Sequence, residues 1–136
     1  MYKKILTTLF IFGMVIFNSV ASAEIQKFIG VGEHYMEDST ETLAQAQEKA
    51  KLAAELDALE QAQVNVQVYS EQNNLNLTKD EIVTITAGIM NVLDVKYLIK
   101  SENDGILLMR AEVKAEIDTD KISELVEREI SRRAVE

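Results

Sequence analysis

Residues 91–117, NVLDVKYLIKSENDGILLMRAEVKAEI, carry the clearest structural signal in the chain. Every second residue is apolar from Leu93 to Ile99, and the same alternation runs from Leu107 to Ile117. Successive side chains of a strand point to opposite faces, so each run predicts a strand with one covered face and one solvent-exposed face. Asp104-Gly105 lies between the runs and is a strong hairpin signal, which predicts that the two strands pair antiparallel.

A long helix is predicted before this hairpin. Asp38 starts it, because Glu41 follows three residues later in a capping pattern. The run TLAQAQEKAKLAAELDALEQA, residues 42–62, then contains no helix breaker. One face of this helix consists mostly of small residues, namely Leu43, Ala46, Ala50, Ala53 and Ala54. Small side chains allow close packing, so we expect this face to lie against the sheet.

The same helix has two features that leave alternatives open. Leu52, Leu56 and Leu59 lie opposite the alanine face, where either another helix of the chain covers them or they bind a protein partner. Asp57 lies on the alanine face, with Gln61 one turn later. Asp57 is either a boundary residue that reaches solvent or a paired polar residue that fixes the register of the helix.

A glycine-containing strand is predicted at the start of the domain, in residues 25–33, IQKFIGVGE. Gly30 and Gly32 raise the question of a phosphate-binding loop, a bend, or a close backbone approach. A phosphate loop needs more glycine or a lysine. The residues that follow include three acids that would repel phosphate, Glu33, Glu37 and Asp38. We therefore favour a bend that lets the strand curve over the first helix.

The remaining elements complete a two-layer α+β domain. Valines alternate with polar residues in 64–68, which predicts a strand. Thr78 and Glu81 form a capping box that starts a second helix, and Gly88 is expected to end it in a left-handed conformation. Residues 119–133 predict a C-terminal helix. The order is β-α-β-α-β-β-α, with a long Ala-rich helix and shorter helices packed on one mainly antiparallel sheet.

The N-terminal segment resembles a secretory signal. A lysine pair precedes the apolar run from Ile5 to Phe17, and Ala21 and Ala23 provide the small residues of a cleavage site. The apolar run is shorter than the ~20 residues that span a bilayer. We predict cleavage after Ala23, which leaves one domain, residues 24–136, with no membrane span. An uncleaved N-terminal anchor is the alternative.

The composition of the chain excludes several kinds of partner and site. The chain has 14 Lys and Arg against 23 Asp and Glu, for a formal charge of −9. Nucleic-acid binding draws its affinity from Lys and Arg, so we expect no nucleic-acid partner. The chain contains no cysteine. This excludes disulfides, thiolate chemistry, a cysteine zinc site and a lipid attached through cysteine.

No residue pattern predicts catalysis. His34 is the sole histidine, and no nucleophile can be paired with it from spacing. A metal site made of His34, Glu33, Glu37 and Asp38 is conceivable, but nothing in the spacing demands it. The acids near Asp104 are consecutive and lack the alternation of a calcium loop. We therefore expect no catalytic residue, cofactor or metal.

Two segments resemble a known family. They are IGVGEHYMEDSTETLAQAQEKAKLAAELDALEQAQVNVQVYSE, residues 29–71, and LTKDEIVTITAGIMNVLDVKYLIKSENDGILLMRAEVKAEI, residues 77–117. Together they resemble the N-terminal domain of flagellar assembly protein T and a related family of small bacterial surface lipoproteins. The resemblance implies a small α/β interaction domain of the periplasm or envelope, without catalytic residues. This chain departs from the flagellar protein in having one such domain, and from the lipoproteins in lacking a lipid-bearing cysteine.

These observations lead to one functional expectation and two alternatives. We expect an exported, non-enzymatic interaction module of the bacterial envelope, periplasmic or secreted, linked to flagellar basal-body or outer-membrane assembly. It would bind an envelope protein through an exposed sheet edge or the leucines of the first helix. One alternative is a periplasmic carrier of a small apolar ligand, in a cleft near Phe28, Tyr97 and Met109. The other is an enzyme using acidic residues, with His34 or Asp38 in the site.

Overall fold

Three strands of equal length form one antiparallel sheet: β1 is Ile25–Met36, β2 is Met90–Ser101 and β3 is Leu107–Asp118. β3 lies in the centre, between β1 and β2. The helices are α1, Leu43–Gln72; α2, Lys79–Ile89; and α3, Ile122–Val135. The structure, a computed structural model, describes residues 24–136, so the predicted cleavage site at Ala21 and Ala23 lies outside it. The α+β class is confirmed, but the chain order is β-α-α-β-β-α.

The β2–β3 hairpin is formed as predicted. Asp104 and Gly105 both have left-handed backbone angles, with φ of 77° and 75°. The Glu102 N–H donates to the Ile106 carbonyl at 2.9 Å and closes the turn. Asp is among the few non-glycine residues that tolerate this region, so the local sequence suffices to set the turn.

α1 buries one residue in every four along its whole length: Ala46, Ala50, Ala54, Ala58, Ala62, Val66 and Ser70. A row with this spacing turns by about 40° at each step around a helix of 3.6 residues per turn. Its first four members pack on β3, and Ala62 and Val66 pack with residues of α2 and α3. The rotating row therefore lets one helix join the sheet to the two other helices.

The strand predicted for residues 64–68 is wrong, because α1 continues through it to Gln72. Val66 is fully buried as the next member of the row after Ala62, whereas Val64 and Val68 are 57% and 43% exposed. Burial of Val66 against the other helices outweighs the β preference of alternating valines.

The predicted start of the first helix is also wrong. Thr42 caps α1 and Gln45 completes its capping box. The Thr42 side chain accepts from the Gln45 N–H at 3.2 Å. Asp38 instead accepts from the Thr40 N–H at 2.8 Å, in the turn before the helix. Two acceptable caps lie four residues apart, and the Thr–Gln pair closes the box reciprocally.

α2 begins as predicted but ends differently. The Thr78 side chain accepts from the Glu81 N–H and the Glu81 carboxylate accepts from the Thr78 N–H, so the capping box is confirmed. Gly88 is not left-handed: the helix runs through it to Ile89. A Cβ at Gly88 would lie 3.2 Å from Leu125 Cδ1. This glycine therefore makes room for α3 rather than ending α2.

α3 starts three residues after the predicted boundary, because a 3₁₀ turn occupies Thr119–Lys121. Arg133, near its end, donates through Nε to Glu81 Oε1 at 2.9 Å. The Thr78 N–H first, and the Arg133 guanidinium second, hold the pKa of Glu81 below its usual value. One carboxylate thus caps α2 and ties it to α3.

Candidate interaction surfaces

The two glycines of β1 lie against α1. A Cβ at Gly30 would be 2.0 Å from the Ala54 carbonyl oxygen, and one at Gly32 would be 2.3 Å from the Ala50 carbonyl oxygen. The pairing of β1 with β3 continues through both glycines without a register shift. The predicted bend is therefore replaced by the alternative, a close backbone approach. Both glycines lie inside a regularly paired strand, so they do not form a phosphate-binding loop.

Two polar side chains of α1 bind the outer edge of β1. The Val31 N–H donates to Asp57 Oδ2 at 2.8 Å. Gln61 Nε2 donates to the Ile29 carbonyl at 2.9 Å and lies 3.3 Å from Asp57 Oδ2. These backbone groups point away from β3, so they would otherwise lack a protein partner. Of the two alternatives for Asp57, the structure therefore shows the paired polar residue and not the boundary residue that reaches solvent.

The outer edge of β2 follows by geometry. Backbone groups of successive residues in an antiparallel strand point to alternate sides. Because Val31 points outward, its neighbour Gly30 directs its backbone groups to Val113 of β3. The next residue of β3, Glu112, therefore directs its backbone groups to β2, where it pairs with Lys96. The N–H and C=O groups of alternate β2 residues, Val95, Tyr97 and Ile99, therefore point outward. We call these backbone groups the β2 edge.

Within residues 24–136, no side chain forms hydrogen bonds with the β2 edge as Asp57 and Gln61 do with the edge of β1. α1 packs on β1 and β3 and barely reaches β2. Tyr97 and Ile99, on the helix side of the sheet, are 39% and 45% exposed, and Leu98 on the outer side is 51% exposed. A long apolar edge strand of this kind is usually protected, because it can pair with another chain.

Leu93 lies on the side of the sheet opposite to the predicted one. The pairing of β2 with β3 shifts register between Val92 and Asp94. Leu93 consequently lines a shallow depression on the outer side, with Ile29 and Lys114. Alternation alone places Leu93 with Val95, because a bulge leaves no periodic trace in the sequence.

The three leucines of α1, which we call the α1 stripe, face away from the sheet. Leu52 and Leu56 are 58% and 51% exposed, and Leu59 is half-buried. The alternative in which another helix covers them is wrong for the described chain. Two leucines one turn apart, both more than half exposed, form an apolar strip on a helix whose other side is buried.

The outer face of the sheet carries charged side chains beside half-exposed apolar ones, among them Ile29 and Leu98. Along β3 it carries Arg110, Glu112, Lys114 and Glu116, of which Arg110 lies 3.3 Å from Glu33 on β1. Two shallow depressions of about 300 and 260 Å³ lie on this face. Neither is the cleft expected between sheet and helices.

The residues expected to line that cleft are apart. Met109 is fully buried in the cluster beneath the first half of α1, whereas Phe28 packs with the cluster beneath α2 and α3. Phe28 pairs with Ala115, six residues along β3 from Met109. Tyr97 lies on the same side of the sheet as Met109, but it is on β2, opposite Ala111, and is 39% exposed. The three side chains therefore do not form one ligand site.

His34 lies in a polar cluster that joins β1 to α1. Its Nε2 donates to Glu41 Oε1 at 2.8 Å, and Lys49 Nζ lies 3.0 Å from the same oxygen. The hydrogen bond from His34, followed by that from Lys49, lowers the pKa of Glu41. Glu33 points to the opposite face of the sheet and pairs across from Arg110. The structure thus separates Glu33 from His34, and in residues 24–136 no three His, Asp or Glu side chains are grouped for a metal ion.

Sequence reasoning missed Asp57 and Gln61 as edge-binding residues, although their spacing of four on the alanine face is a usable signal.

Across residues 24–136, no helix has the length and apolar character to cross a membrane. Comparison with protein-family models and with curated proteins finds no match to this chain.

Proposed function

We propose that this protein is an exported, non-enzymatic interaction module of the bacterial envelope that binds a protein partner through the α1 stripe. The observation that carries the proposal is the exposure of Leu52 and Leu56 on a helix whose opposite side is fixed to the sheet. Leucines four residues apart fit the spacing with which a helix fills an apolar groove of a partner.

The rigidity of α1 supports this role. Its backbone contacts Gly30 and Gly32, and its Asp57 is bonded to β1. A surface held in place before binding loses little conformational freedom when the partner arrives. The α1 stripe therefore lies on a helix that is anchored to the sheet before a partner binds.

The border of the α1 stripe indicates the chemistry of the partner. Glu48 and Glu55 flank the leucines on one side of the helix, and Glu60 on the other. Lys51, 3.8 Å from Glu55, and Lys49, bound to Glu41, offset part of this charge. We infer an apolar groove with a basic rim, because opposite charge at the rim favours association.

The location of the partner is part of the same proposal. The signal-like segment that ends at Ala23 supports export. The resemblance to the N-terminal domain of flagellar assembly protein T supports a link to flagellar basal-body or outer-membrane assembly. No catalytic residue, cofactor or metal enters the proposal.

The test compares two substitutions on the same helix. Leu56→Asp is expected to lower capture of the partner from envelope extract by more than about tenfold, because loss of a central apolar anchor costs about 2 kcal/mol or more. Val64→Asp is the matched control, since Val64 is 57% exposed on α1 but lies outside the α1 stripe. Circular dichroism checks that both variants stay folded.

Capture that survives Leu56→Asp in a folded protein would contradict the proposal. Equal loss in Leu56→Asp and Val64→Asp would do the same, because it would place binding on no particular side of the helix.

A further inference from the structure

We propose that two copies of this chain pair antiparallel along their β2 edges and form a continuous six-stranded sheet. This goes beyond the proposed function, since the β2 edge is separate from the α1 stripe. The occupant is a second copy, because the charges of β2 complement those of its own copy when two such strands pair antiparallel.

The first requirement for this pairing is a row of backbone groups that point outward from β2. Val95, Tyr97 and Ile99 direct their N–H and C=O groups outward, as the pairing of Lys96 with Glu112 requires. A second β2 running antiparallel can bond to all three when Tyr97 lies opposite Tyr97 of the second copy. Val95 then lies opposite Ile99, and the reverse pair forms on the other side of the two-fold axis.

Charge and the bulge of β2 together select this register. With Tyr97 on the axis, Asp94 lies opposite Lys100 of the second copy, and this contact occurs twice by symmetry. A shift of one step in one direction places Lys96 opposite Lys96, and a shift in the other places Lys96 opposite Lys100. Directly opposed like charges destabilise a strand pair, whereas opposite charges stabilise it. With Val95 on the axis, Asp94 would face Lys96, but the bulge at Leu93 would then lie opposite Tyr97 and interrupt the backbone pairing there.

The side chains provide the third requirement. Tyr97 and Ile99 are 39% and 45% exposed on the helix side of the sheet. In the proposed register, Tyr97 packs beside its own copy, and Ile99 packs beside Val95. Aromatic and β-branched cross-strand pairs are among the stabilising ones. On the outer face, Leu98 lies against the aliphatic part of Lys96.

The outer edge of β1 is already bound by α1, which explains why the pairing uses β2. Asp57 and Gln61 already occupy the outward backbone groups of Val31 and Ile29. A second copy would have to break both of these hydrogen bonds from α1 to pair there.

Cysteine cross-linking tests both the dimer and its register, since the chain contains no cysteine of its own. The protein is purified as its host produces it, and its mass is measured in solution by light scattering. Tyr97→Cys is expected to cross-link to itself on mild oxidation, because directly opposed Cα atoms lie about 5.5 Å apart. Ile99→Cys is the matched control on the same strand and face. Its copies would be about 14 Å apart and are expected not to cross-link.

A charge exchange tests the register without cysteine. Lys100→Asp sets two acids opposite each other and is expected to raise the dimer dissociation constant at least about tenfold. Adding Asp94→Lys restores opposite charges and is expected to recover dimerisation. Lys27→Asp, on the outer face of β1, is expected to leave the dimer intact.

Each result decides the proposal. A dimer with cross-links from Tyr97→Cys alone, and recovery by the double exchange, supports it. A monomer at all concentrations, as would result if another protein or residues 1–23 bound the β2 edge, overturns it. Cross-linking through Ile99→Cys as readily as through Tyr97→Cys also overturns it. Binding by the α1 stripe is measured separately, so neither outcome decides the proposed function.

Discussion

The two outer strands of the sheet, β1 and β2, are 12 residues long and pair with the same central strand, but their free edges differ. At β1, α1 lies against two glycines and its side chains bind the outward backbone groups. At β2, large side chains replace the glycines and the helix barely reaches the strand. Protection of an edge thus depends on the strand as well as on its neighbour, because the glycines of β1 let the helix come close enough to bind the edge.

The difference between the two edges explains why α1 carries a polar residue on its alanine face. Asp57 lies on a face that is otherwise alanine, where a charge without a partner would be costly. Its bond to the Val31 N–H satisfies both groups at once. The same bond occupies the edge of β1, so one interaction contributes to stability and limits pairing with other chains.

The largest expected effect comes from filling the contact between β1 and α1. Gly30→Ala places a Cβ 2.0 Å from the Ala54 carbonyl oxygen, where backbone has to move. We expect a loss of about 3 kcal/mol in the free energy of unfolding, measured by urea denaturation.

Gly88→Ala is the control for that prediction. Its Cβ would meet only the Leu125 side chain, at 3.2 Å, and alanine favours a helix by about 0.5–1 kcal/mol. We expect a change within about 1 kcal/mol. Equal destabilisation by Gly30→Ala and Gly88→Ala would show that the close approach is not the special feature of β1.

An intermediate effect is expected from Asp57→Ala. It leaves the Val31 N–H without its acceptor, so we expect a loss of about 2 kcal/mol. Glu127→Ala, at an exposed position of α3, is the control and is expected to change the free energy of unfolding by less than about 0.5 kcal/mol. A neutral Asp57→Ala variant would mean that water satisfies the β1 edge as well as the helix does.

The smallest effect concerns the ion cluster that holds the start of α1 to β1. The lowered pKa of Glu41 means that its ionised form is favoured by folding. Its contribution is therefore present at neutral pH and is lost as the pH falls below the ordinary glutamate value of about 4.5, through the lowered pKa of Glu41. The difference in stability between the natural protein and Glu41→Gln should shrink over that range. A difference that is constant from pH 7 to pH 3 would be the contrary result, and unfolding curves across that range decide between them.

Local signals in the sequence sufficed for some elements of the fold. Asp104-Gly105 predicted the hairpin, and Thr78 with Glu81 predicted the start of α2, because each structure is made by residues adjacent in sequence. The α1 stripe also followed from helical spacing alone. Its exposure did not, since that depends on which elements lie nearby.

Errors arose where distant contacts decide between local options. The valines of residues 64–68 suit a strand, and only the clusters of α2 and α3 explain why Val66 is helical. Gly88 suits a helix end, and only Leu125 explains its place inside the helix. The β2 edge could not be identified from the sequence, because the alternation in β2 and β3 does not reveal which strand is central.

The row of buried residues along α1 restricts how the length of this helix can change. One residue inserted between Ala58 and Ala62 would rotate everything after it by about 100° relative to everything before it. Val66 and Ser70 would leave their buried positions while Ala46 to Ala58 kept theirs. Natural variation in chain length is therefore expected to accumulate in the segment between α1 and α2, and insertions within α1 should be selected against.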